Sequence, residues 1–297
     1  MHKKASVYIN IHQRYNQGVY KLFQISLLPS GDILHYLCGM IKNTLLKATE
    51  AGANEIKRFF NGQFTVSNKA GINNLVTEAD YSAEKAIFDV IKEAFPDHFI
   101  LSEESGEIVM DSEYKWIIDP IDGTVNFANG IPLCCVSIGV EYKGELVLGA
   151  VYNPLMNEFF VGEKGQGATL NDKKIGVSNK SDVGKSCLAT GFPYTYLDHE
   201  NGPLQVFDKL IRKGIAVRRL GSAAIDLCWV AAGRFDAFFE HRLEAWDSAA
   251  GSLIVQEAGG KVTDYAGNPF SVYQYQMISS NGLIHEDLLK ILNGGEV

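Results

Sequence analysis

The sequence predicts a layered α/β protein. From Gly31 onward, apolar residues recur alternately at helical and at strand spacing, without internal repeats, long linkers or low-complexity tracts. The chain of 297 residues is also long enough to bury roughly 75% of its unfolded surface in a core. Helices and sheets stacked in alternating layers are the simplest architecture for such an order of elements.

The first 31 residues are expected to lie outside this core. Their apolar positions are interrupted by Gln, Asn and Tyr, so they lack the continuous apolar segment of a secretory signal. We therefore predict an extension over residues 1–31 and a folded unit over residues 32–297. Within that unit we expect two tightly joined lobes, at about residues 32–180 and 181–297.

The folded unit is expected to begin with two helices. The first should run from residue 32 to about residue 60, where apolar residues recur at helical spacing after an Asp cap. The second should run from about residue 80 to residue 95 and stop before Pro96. Between them, the Gly- and Asn-rich segment NGQFTVSNKAGINNLV predicts a hairpin or a mobile loop.

The middle of the chain is predicted to be rich in strands. The segments LCCVSIGVEY and ELVLGAVYNP flank the turn residues Lys143 and Gly144, and EFFVGEKGQGATLN follows with turns marked by glycine. In the final third, candidate strands alternate with candidate helices. The strands are SCLATGF, AVRRLG, FDAFFE, KVTDY and QMISSN, and the helices are residues 203–213, 222–232, 247–258 and 283–292.

Composition argues against several classes of function. The chain has 27 basic and 35 acidic side chains and a net charge of -8 at pH 7, which disfavours nucleic acid or an anionic membrane as the main partner. No stretch reaches the roughly 18 apolar residues of a membrane span. The five cysteines show no CxxC spacing and are interpreted as reduced thiols, so we expect a cytoplasmic protein.

The segment YKWIIDPIDGTVNF carries the most chemical information. Its apolar residues predict a buried strand, at whose carboxyl end stand Asp119 and Asp122 with a proline between them. The two carboxylates can converge on one point, toward which a bulge would also turn the Ile121 carbonyl. Hard oxygen ligands of this kind suit Mg²⁺ or Mn²⁺. Taken alone, the motif also fits an ordinary turn that ends a strand.

Gly123 and Thr124 follow this motif and predict the start of a short helix. Backbone amides at a helix start can hold a phosphate group. A metal on one side and amide donors on the other is the arrangement that phosphoryl transfer requires.

Two further acidic sites strengthen the metal interpretation. Glu103 in LSEES ends a short apolar run, and Asp247 in EAWDSAAG begins a predicted helix. Each alone also fits a solvated or helix-capping carboxylate. Together with Asp119 and Asp122, they are more economically explained as one metal cluster at the carboxyl edge of a sheet.

These motifs resemble those of the inositol monophosphatase family, a branch of the lithium-sensitive, magnesium-dependent phosphatases. The segments LSEES, WIIDPIDGTVNF and AWDSAAGSLIVQEAGG match in order and spacing over roughly residues 32–293. The resemblance implies a five-layered αβαβα fold, a homodimer, and two or three Mg²⁺ ions per active site, with Mn²⁺ as a possible substitute.

The resemblance also implies roles for individual residues. Thr124, supported by Asp80, would help to activate the attacking water, with Glu103 assisting. Lys69 matches a basic residue near the metal site. The implied metal ligands are Glu103, Asp119, the Ile121 carbonyl, Asp122 and Asp247, and the implied substrate contacts are Gly123, Thr124, Gly221, Ser222, Ala223, Glu240 and Asp247.

The implied activity is the hydrolysis of inositol monophosphate, or of a related polyol or sugar monophosphate, by in-line attack of metal-activated water. Glu240 favours a neutral polyol, because a carboxylate accepts hydrogen bonds from hydroxyls and repels a second phosphate. The same fold also admits a 3'(2'),5'-bisphosphate nucleotidase, a fructose-1,6-bisphosphatase or a histidinol-phosphate phosphatase. A non-enzymatic alternative is a regulator that binds RNA polymerase or ribosomal RNA machinery, as some bacterial members of the family do.

Overall fold

The computed structural model describes residues 30–60, 62–68, 75–192 and 203–295. The α-helices of these residues are α1 (Ser30–Phe59), α2 (Glu78–Ala94), α3 (Thr124–Ala128), α4 (Pro203–Arg212), α5 (Ala223–Ala231), α6 (Ala245–Glu257) and α7 (His285–Leu292). The first ten strands are β1 (Val66–Asn68), β2 (Leu75–Thr77), β3 (Phe99–Ser102), β4 (Gly106–Ile108), β5 (Tyr114–Asp122), β6 (Cys135–Tyr142), β7 (Glu145–Asn153), β8 (Glu158–Glu163), β9 (Gly167–Leu170) and β10 (Lys173–Lys174). The remaining strands are β11 (Cys187–Thr190), β12 (Ala216–Arg218), β13 (Ala237–His241), β14 (Lys261–Thr263) and β15 (Gln276–Ser280).

The strands form one large sheet, one smaller sheet and a hairpin. The eight-stranded sheet has the order β10-β9-β8-β7-β6-β5-β3-β4, and the five-stranded sheet has the order β12-β11-β13-β15-β14. Within the described part of the chain, β1 and β2 pair antiparallel with each other and with no other strand. In the large sheet β3 and β5 run parallel, and in the small sheet β11 runs parallel to both β12 and β13.

The helices and the two large sheets stack in five layers. Apolar residues of α1 and α2 pack on one face of the eight-stranded sheet. Helices α5 and α6 fill the space between the two sheets, and α4 and α7 cover the outer face of the five-stranded sheet. The αβαβα architecture implied by the resemblance is therefore confirmed.

Most predicted elements are found within a few residues of their expected positions. Helix α1 begins at Ser30, two residues before its predicted start, and the Gly- and Asn-rich segment forms the β1–β2 hairpin. Residues 69–74, including Lys69, and residues 1–29 lie outside the described residues. None of the described helices is long and apolar enough to cross a membrane.

Strand β5 is longer than the sequence predicts. The sequence predicts that β5 ends before Asp119, but pairing with β6 continues until Asp122 lies opposite Cys135. The register shifts between Asp119 and Asp122, which forms a bulge at Pro120 and Ile121. Proline has no backbone N–H to donate to a neighbouring strand, so a bulge is a favourable place for it.

Three glycines allow α6 to lie directly on the large sheet. Gly139, Gly149 and Gly162 are register partners across β6, β7 and β8. A Cβ atom on Gly139 would lie 2.7 Å from the Cβ of Ala249, and one on Gly149 would lie 2.8 Å from the carbonyl oxygen of Ala250. This close approach fixes the position of α6, whose first turn carries Asp247.

Candidate active site

The predicted acidic residues come from two neighbouring parallel strands and one helix. Glu103 follows β3, and Asp119 and Asp122 lie in the bulge that ends β5. Because β3 and β5 are parallel, their carboxyl ends reach the same edge of the sheet. The backbone N–H of Glu103 donates to the carbonyl of Ile118 at 3.1 Å, which holds the end of β3 beside the bulge.

Asp119 lies at the centre of this acidic group. It is only 2% exposed. Burial raises its pKa well above the usual value, and the negative charges of Glu103, Asp122 and Asp247 raise it further. A hydrogen bond that protonated Asp119 donates to Glu103 also raises the pKa of Asp119. The four carboxylates are thus close enough to repel one another in a weakly solvated environment.

Asp122 links the bulge to the start of α5. Its Oδ2 atom accepts hydrogen bonds from the Ser222 hydroxyl at 2.6 Å and from the Ala224 N–H at 2.7 Å. Burial raises the pKa of Asp122 to about 6, and these two donors oppose the increase. The predicted substrate residues Gly221, Ser222 and Ala223 are therefore held next to the predicted metal ligands.

Asp247 stands in the first turn of α6 and is half-buried. One of its oxygens accepts a hydrogen bond from the Glu244 N–H at 2.7 Å, as part of a capping box. The pKa of Asp247 lies well above its usual value. Burial is the largest cause, and the negative charges of Asp122 and Glu103 also raise this pKa. The helix cap thus orients a carboxylate that the other acidic residues repel.

Thr124 and Asp80 come from different parts of the chain and meet beside the bulge. The Thr124 hydroxyl lies 3.3 Å from Oδ1 of Asp80 and 3.0 Å from the Ile121 carbonyl oxygen, and both are acceptors. Asp80 is fully buried, and its Oδ2 atom accepts from the N–H and the hydroxyl of Thr77 at 2.7 and 2.6 Å. The capping box that begins α2 therefore fixes the carboxylate that faces Thr124.

Residue 123, between Asp122 and helix α3, has to be glycine. Gly123 has a φ of +91°, and a Cβ atom there would lie 2.7 Å from the carbonyl oxygen of Leu133. This conformation is strained for any other residue. It allows the chain to turn from the bulge directly into α3, with Thr124 as its first residue.

The donor set suits Mg²⁺ in chemistry and charge. It consists of carboxylates and one backbone carbonyl, and a divalent cation would offset the repulsion among the acidic groups. Among the described residues, no three His, Cys, Asp or Glu side chains already stand in an arrangement that holds an ion. The acidic side chains would have to draw together around the metal. Hydrogen bonds occupy Oδ2 of both Asp122 and Asp247. In each residue, Oδ1 is therefore the oxygen that could bind the metal ion.

Glu240 lies on the other side of the candidate site, at the end of β13. It is half-buried and faces Gly191, where a Cβ atom would overlap the Glu240 carboxylate. The pKa of Glu240 is raised to about 8, mainly by burial and also by the negative charge of Asp122, while Arg219 opposes the increase. Only glycine at position 191 leaves room for the carboxylate in this position.

Sequence reasoning missed two residues that hold the site together. Glu84 is 5% exposed and accepts hydrogen bonds from the Ser102 hydroxyl at 2.5 Å and from the N–H of Ser105 at 3.0 Å, so it fixes the loop that carries Glu103. Asn126 donates to the carbonyls of Leu133 and Leu220, each at 2.8 Å. The position of Glu84, one helical turn after Asp80 on α2, is the feature of the sequence that could have indicated its role. Asn126 belongs to the segment YKWIIDPIDGTVNF, but its structural role could not be predicted, because Leu220 is far away in the chain.

The five layers and the carboxylate group together define a layered α/β protein with an acidic centre at the edge of its main sheet. The chain belongs to the inositol monophosphatase family, whose family model matches residues 40–295.

Known relatives and solved structures agree with this assignment. Nus factor SuhB of Haemophilus influenzae is 41% identical over 252 residues, which make up 84% of this chain and 94% of the relative. The crystal structure of extragenic suppressor protein suhB from Bartonella henselae has 37% identity and a TM-score of 0.80, and covers 86% of this chain and 99% of its own. The structure of the Thermotoga maritima IMPase has 34% identity and a TM-score of 0.76. The match covers 88% of this chain and 97% of that structure's chain.

Proposed function

We propose that the protein is a Mg²⁺-dependent phosphomonoesterase that hydrolyses inositol monophosphate or a related polyol or sugar monophosphate. The observation that carries this proposal is the group of mutually repelling carboxylates of Glu103, Asp119, Asp122 and Asp247, beside the Thr124–Asp80 contact. Membership of a family of phosphatases supports the reaction class. The structure of the Thermotoga maritima IMPase, similar over most of the chain, supports the same class.

The metal-binding residues in this proposal are Glu103, Asp119, the Ile121 carbonyl, Asp122 and Asp247. When bound, Mg²⁺ would neutralise phosphate oxygens and lower the pKa of a water molecule. The protein's own part is to hold the ligands in place. Ser222 and the Ala224 amide orient Asp122, and the α6 cap orients Asp247.

Thr124 and Asp80 orient and deprotonate the attacking water in this mechanism. The water donates its proton to the Thr124 hydroxyl, which passes its own proton to Asp80 at 3.3 Å. Glu103 accepts a hydrogen bond from the same water. The water oxygen then forms the new P–O bond in line with the P–O bond that breaks, and inorganic phosphate remains. The departing alkoxide takes a proton from solvent water to become the alcohol, and Asp80 returns its proton to solvent.

The substrate would lie between the start of α3 and the end of β13. The backbone amides of Gly123 and Thr124 would donate to the phosphate, while Gly221, Ser222, Ala223, Glu240 and Asp247 would contact the polyol. Glu240 would form hydrogen bonds with hydroxyls and, in its ionised form, repel a second phosphate. We therefore place a polyol monophosphate ahead of the bisphosphate substrates of related enzymes.

A panel of phosphate esters tests the substrate class. Phosphate release should be fastest with inositol 1-phosphate and similar polyol monophosphates. Adenosine 3',5'-bisphosphate, fructose 1,6-bisphosphate and histidinol phosphate represent the alternative activities. Faster turnover of any of these three than of every polyol monophosphate would contradict the proposed substrate.

A regulatory role is the second candidate, because the relative from Haemophilus influenzae is named Nus factor SuhB. The partner in that case would belong to the transcription or ribosomal RNA machinery. The substitutions Thr124→Ala and Asp247→Asn separate the two roles, since both remove proposed catalytic or metal-binding groups from the protein. A cellular phenotype that survives both substitutions would favour the regulatory role, and one lost with both would favour the phosphatase.

A further inference from the structure

The turn that carries Glu103 lies in a short hairpin at the edge of the large sheet. Strands β3 and β4 pair antiparallel with Ser102 opposite Gly106, so the intervening residues 103–105 form a tight turn. Strand β4 has three residues and pairs with β3 and with no other described strand. Few backbone hydrogen bonds hold so short a hairpin in place. The position of Glu103 therefore depends on other contacts of this turn.

The Glu84 carboxylate binds both ends of the turn. Its Oε1 atom accepts hydrogen bonds from the Ser102 hydroxyl at 2.5 Å and from the Ser105 N–H at 3.0 Å. Its Oε2 atom accepts a hydrogen bond from the Ser105 hydroxyl. Glu84 is 5% exposed, and hydrogen bonds to a carboxylate in such surroundings are stronger than those between neutral groups. Three hydrogen bonds thus attach the turn to helix α2.

Helix α2 provides a firm support for these hydrogen bonds. Its buried apolar face packs in the core on one face of the eight-stranded sheet. The same helix carries Asp80 one turn before Glu84. One helix therefore positions both the carboxylate that faces Thr124 and the turn that carries Glu103.

Repulsion within the acidic group acts against this arrangement. Burial is the largest cause of the raised pKa values of Asp119 and Asp247, and the negative charge of Glu103 raises both pKa values further. In the absence of a cation, this repulsion would move a loosely held turn, and Glu103 with it, away from the other carboxylates. The hydrogen bonds of Glu84 oppose that movement.

We propose that Glu84 is a positioning residue for the metal site, which keeps Glu103 beside Asp119 before the metal binds and thereby strengthens Mg²⁺ binding. This inference rests on the proposed function, in which Glu103 and Asp119 are metal ligands. Groups that orient metal ligands typically contribute about 10- to 100-fold in metal affinity. Glu84 itself is not a ligand in this proposal, because three donors occupy its two oxygens.

Titration calorimetry of Mg²⁺ into the metal-free, full-length protein, without substrate, tests this role. Glu84→Ala removes all three hydrogen bonds and should raise the Kd for Mg²⁺ by about tenfold or more. Glu84→Gln keeps an oxygen that can accept from Ser102 and from the Ser105 N–H, so it should raise the Kd less. Both substitutions remove the same negative charge. Equal increases in Kd would therefore assign the effect to charge alone and overturn the proposal, as would an unchanged Kd in both variants.

Ser105→Ala tests the same contact from the side of the turn. It removes one hydroxyl donor, leaves the charge of Glu84 in place, and changes an exposed residue, so the variant should fold. The loss of one hydrogen bond to a buried carboxylate should raise the Kd for Mg²⁺ by about threefold or more. An unchanged Kd in Ser105→Ala would contradict the proposal even if Glu84→Ala does not fold.

Asp236→Asn is the control for a general loss of stability. Asp236 is 1% exposed, and its carboxylate accepts hydrogen bonds from the Ser178 hydroxyl at 2.5 Å and from the Cys187 N–H at 2.7 Å. It precedes β13, at the opposite end of that strand from Glu240. Asp236→Asn should lower the Tm and leave the Kd for Mg²⁺ unchanged. An increase in Kd as large as that in Glu84→Gln would overturn the specific role of Glu84.

Phosphate release from inositol 1-phosphate and other phosphate esters separates this inference from the proposed function. Weaker Mg²⁺ binding in the Glu84 and Ser105 variants, in a protein that hydrolyses no phosphate ester, would overturn the enzymatic proposal and support the role of Glu84. Mg²⁺-dependent turnover by the wild type, together with an unchanged Kd in every variant, would overturn the role of Glu84 alone.

Discussion

Individual carboxylates in the candidate site destabilise the metal-free protein. Asp119 is buried and is surrounded by the charges of Glu103, Asp122 and Asp247. Asparagine at position 119 would keep the shape of the side chain and remove the charge. Removal of the charge should therefore increase the stability of the metal-free protein and decrease its activity.

Asp119→Asn should raise the Tm of the EDTA-treated protein, because it removes a buried and repelled charge. It should also lower kcat/KM for inositol 1-phosphate by about a hundredfold or more, since a proposed metal ligand is lost. Thermal unfolding and phosphate release are the measurements. Asp208→Asn, at an exposed ion pair with Arg212 on α4, is the control and should change neither quantity appreciably. An active Asp119→Asn enzyme would contradict the assigned role.

The stability gain in Asp119→Asn should depend on pH. The pKa of Asp119 in the folded state lies well above the ordinary 3.8, so the folded protein retains a proton that the unfolded chain releases. The wild type therefore loses stability as the pH rises from about 4 toward the raised folded-state pKa. The Tm difference between variant and wild type, measured without metal, should grow over this interval. A difference independent of pH would contradict the account.

Single residues also show where sequence reasoning succeeds and fails. Asp119 and Asp122 were predictable because the strand, the proline and both carboxylates are adjacent in the chain. Glu84 and Asn126 act through residues that only the fold brings near.

At the scale of elements, close packing of α6 positions Asp247. Gly139, Gly149 and Gly162 remove side chains from the sheet beneath that helix. The helix and its strands are predictable from the sequence. The alignment of the three glycines is not, because it depends on the register of β6, β7 and β8.

Gly149→Ala should displace α6, since the new Cβ atom would lie 2.8 Å from the Ala250 carbonyl oxygen and 3.0 Å from its Cα. We expect a loss of about 1–3 kcal/mol in the free energy of unfolding and a lower kcat as Asp247 moves. Urea unfolding and phosphate release check both effects. Gly39→Ala in α1 is the control: a Cβ atom there meets nothing within 4 Å, so stability should rise by about 0.5–1 kcal/mol. An unchanged Gly149→Ala protein would contradict this role.

The start of α5 couples helix capping to the candidate metal site. Ser222 donates to Asp122 at 2.6 Å and caps the helix through the Ile225 N–H at 3.3 Å. Ser222→Ala should lower the free energy of unfolding by about 1–2 kcal/mol. It should also raise the Mg²⁺ concentration needed for half-maximal activity by roughly tenfold or more, because Asp122 loses an orienting donor.

Asp182→Ala provides the control for Ser222→Ala. Asp182 accepts from the Gly184 N–H at the start of a short 3₁₀ helix, before β11 rather than at its carboxyl end. This substitution should reduce stability without changing the Mg²⁺ requirement. An unchanged Mg²⁺ requirement in Ser222→Ala would show that its bond to Asp122 does not support metal binding.

Other elements show the limits of local patterns. The nine-residue β5 was predicted to be shorter, because carboxylates and proline are uncommon inside strands and only pairing with β6 extends it. Strands β4 and β10 were not predicted, since they contain three and two residues and lack an apolar alternation. Their strand geometry depends on neighbours in the sheet.

For the whole molecule, the layered fold is confirmed and the net charge of -8 has a partial explanation. Glu103, Asp119, Asp122 and Asp247 contribute four of the acidic side chains, and bound cations would offset much of their repulsion. The homodimer, the cytoplasmic location, the role of Lys69 and the boundaries of the extension and the lobes stay predictions. Sedimentation of the purified protein would test the dimer.

Metal dependence tests the central claim most directly. Phosphate release from inositol 1-phosphate should be measured on EDTA-treated protein during titration with Mg²⁺, and then with added Li⁺. We predict no turnover without divalent metal, recovery with Mg²⁺, and inhibition by Li⁺ as the family resemblance implies. Full turnover of inositol 1-phosphate in excess EDTA would contradict the account.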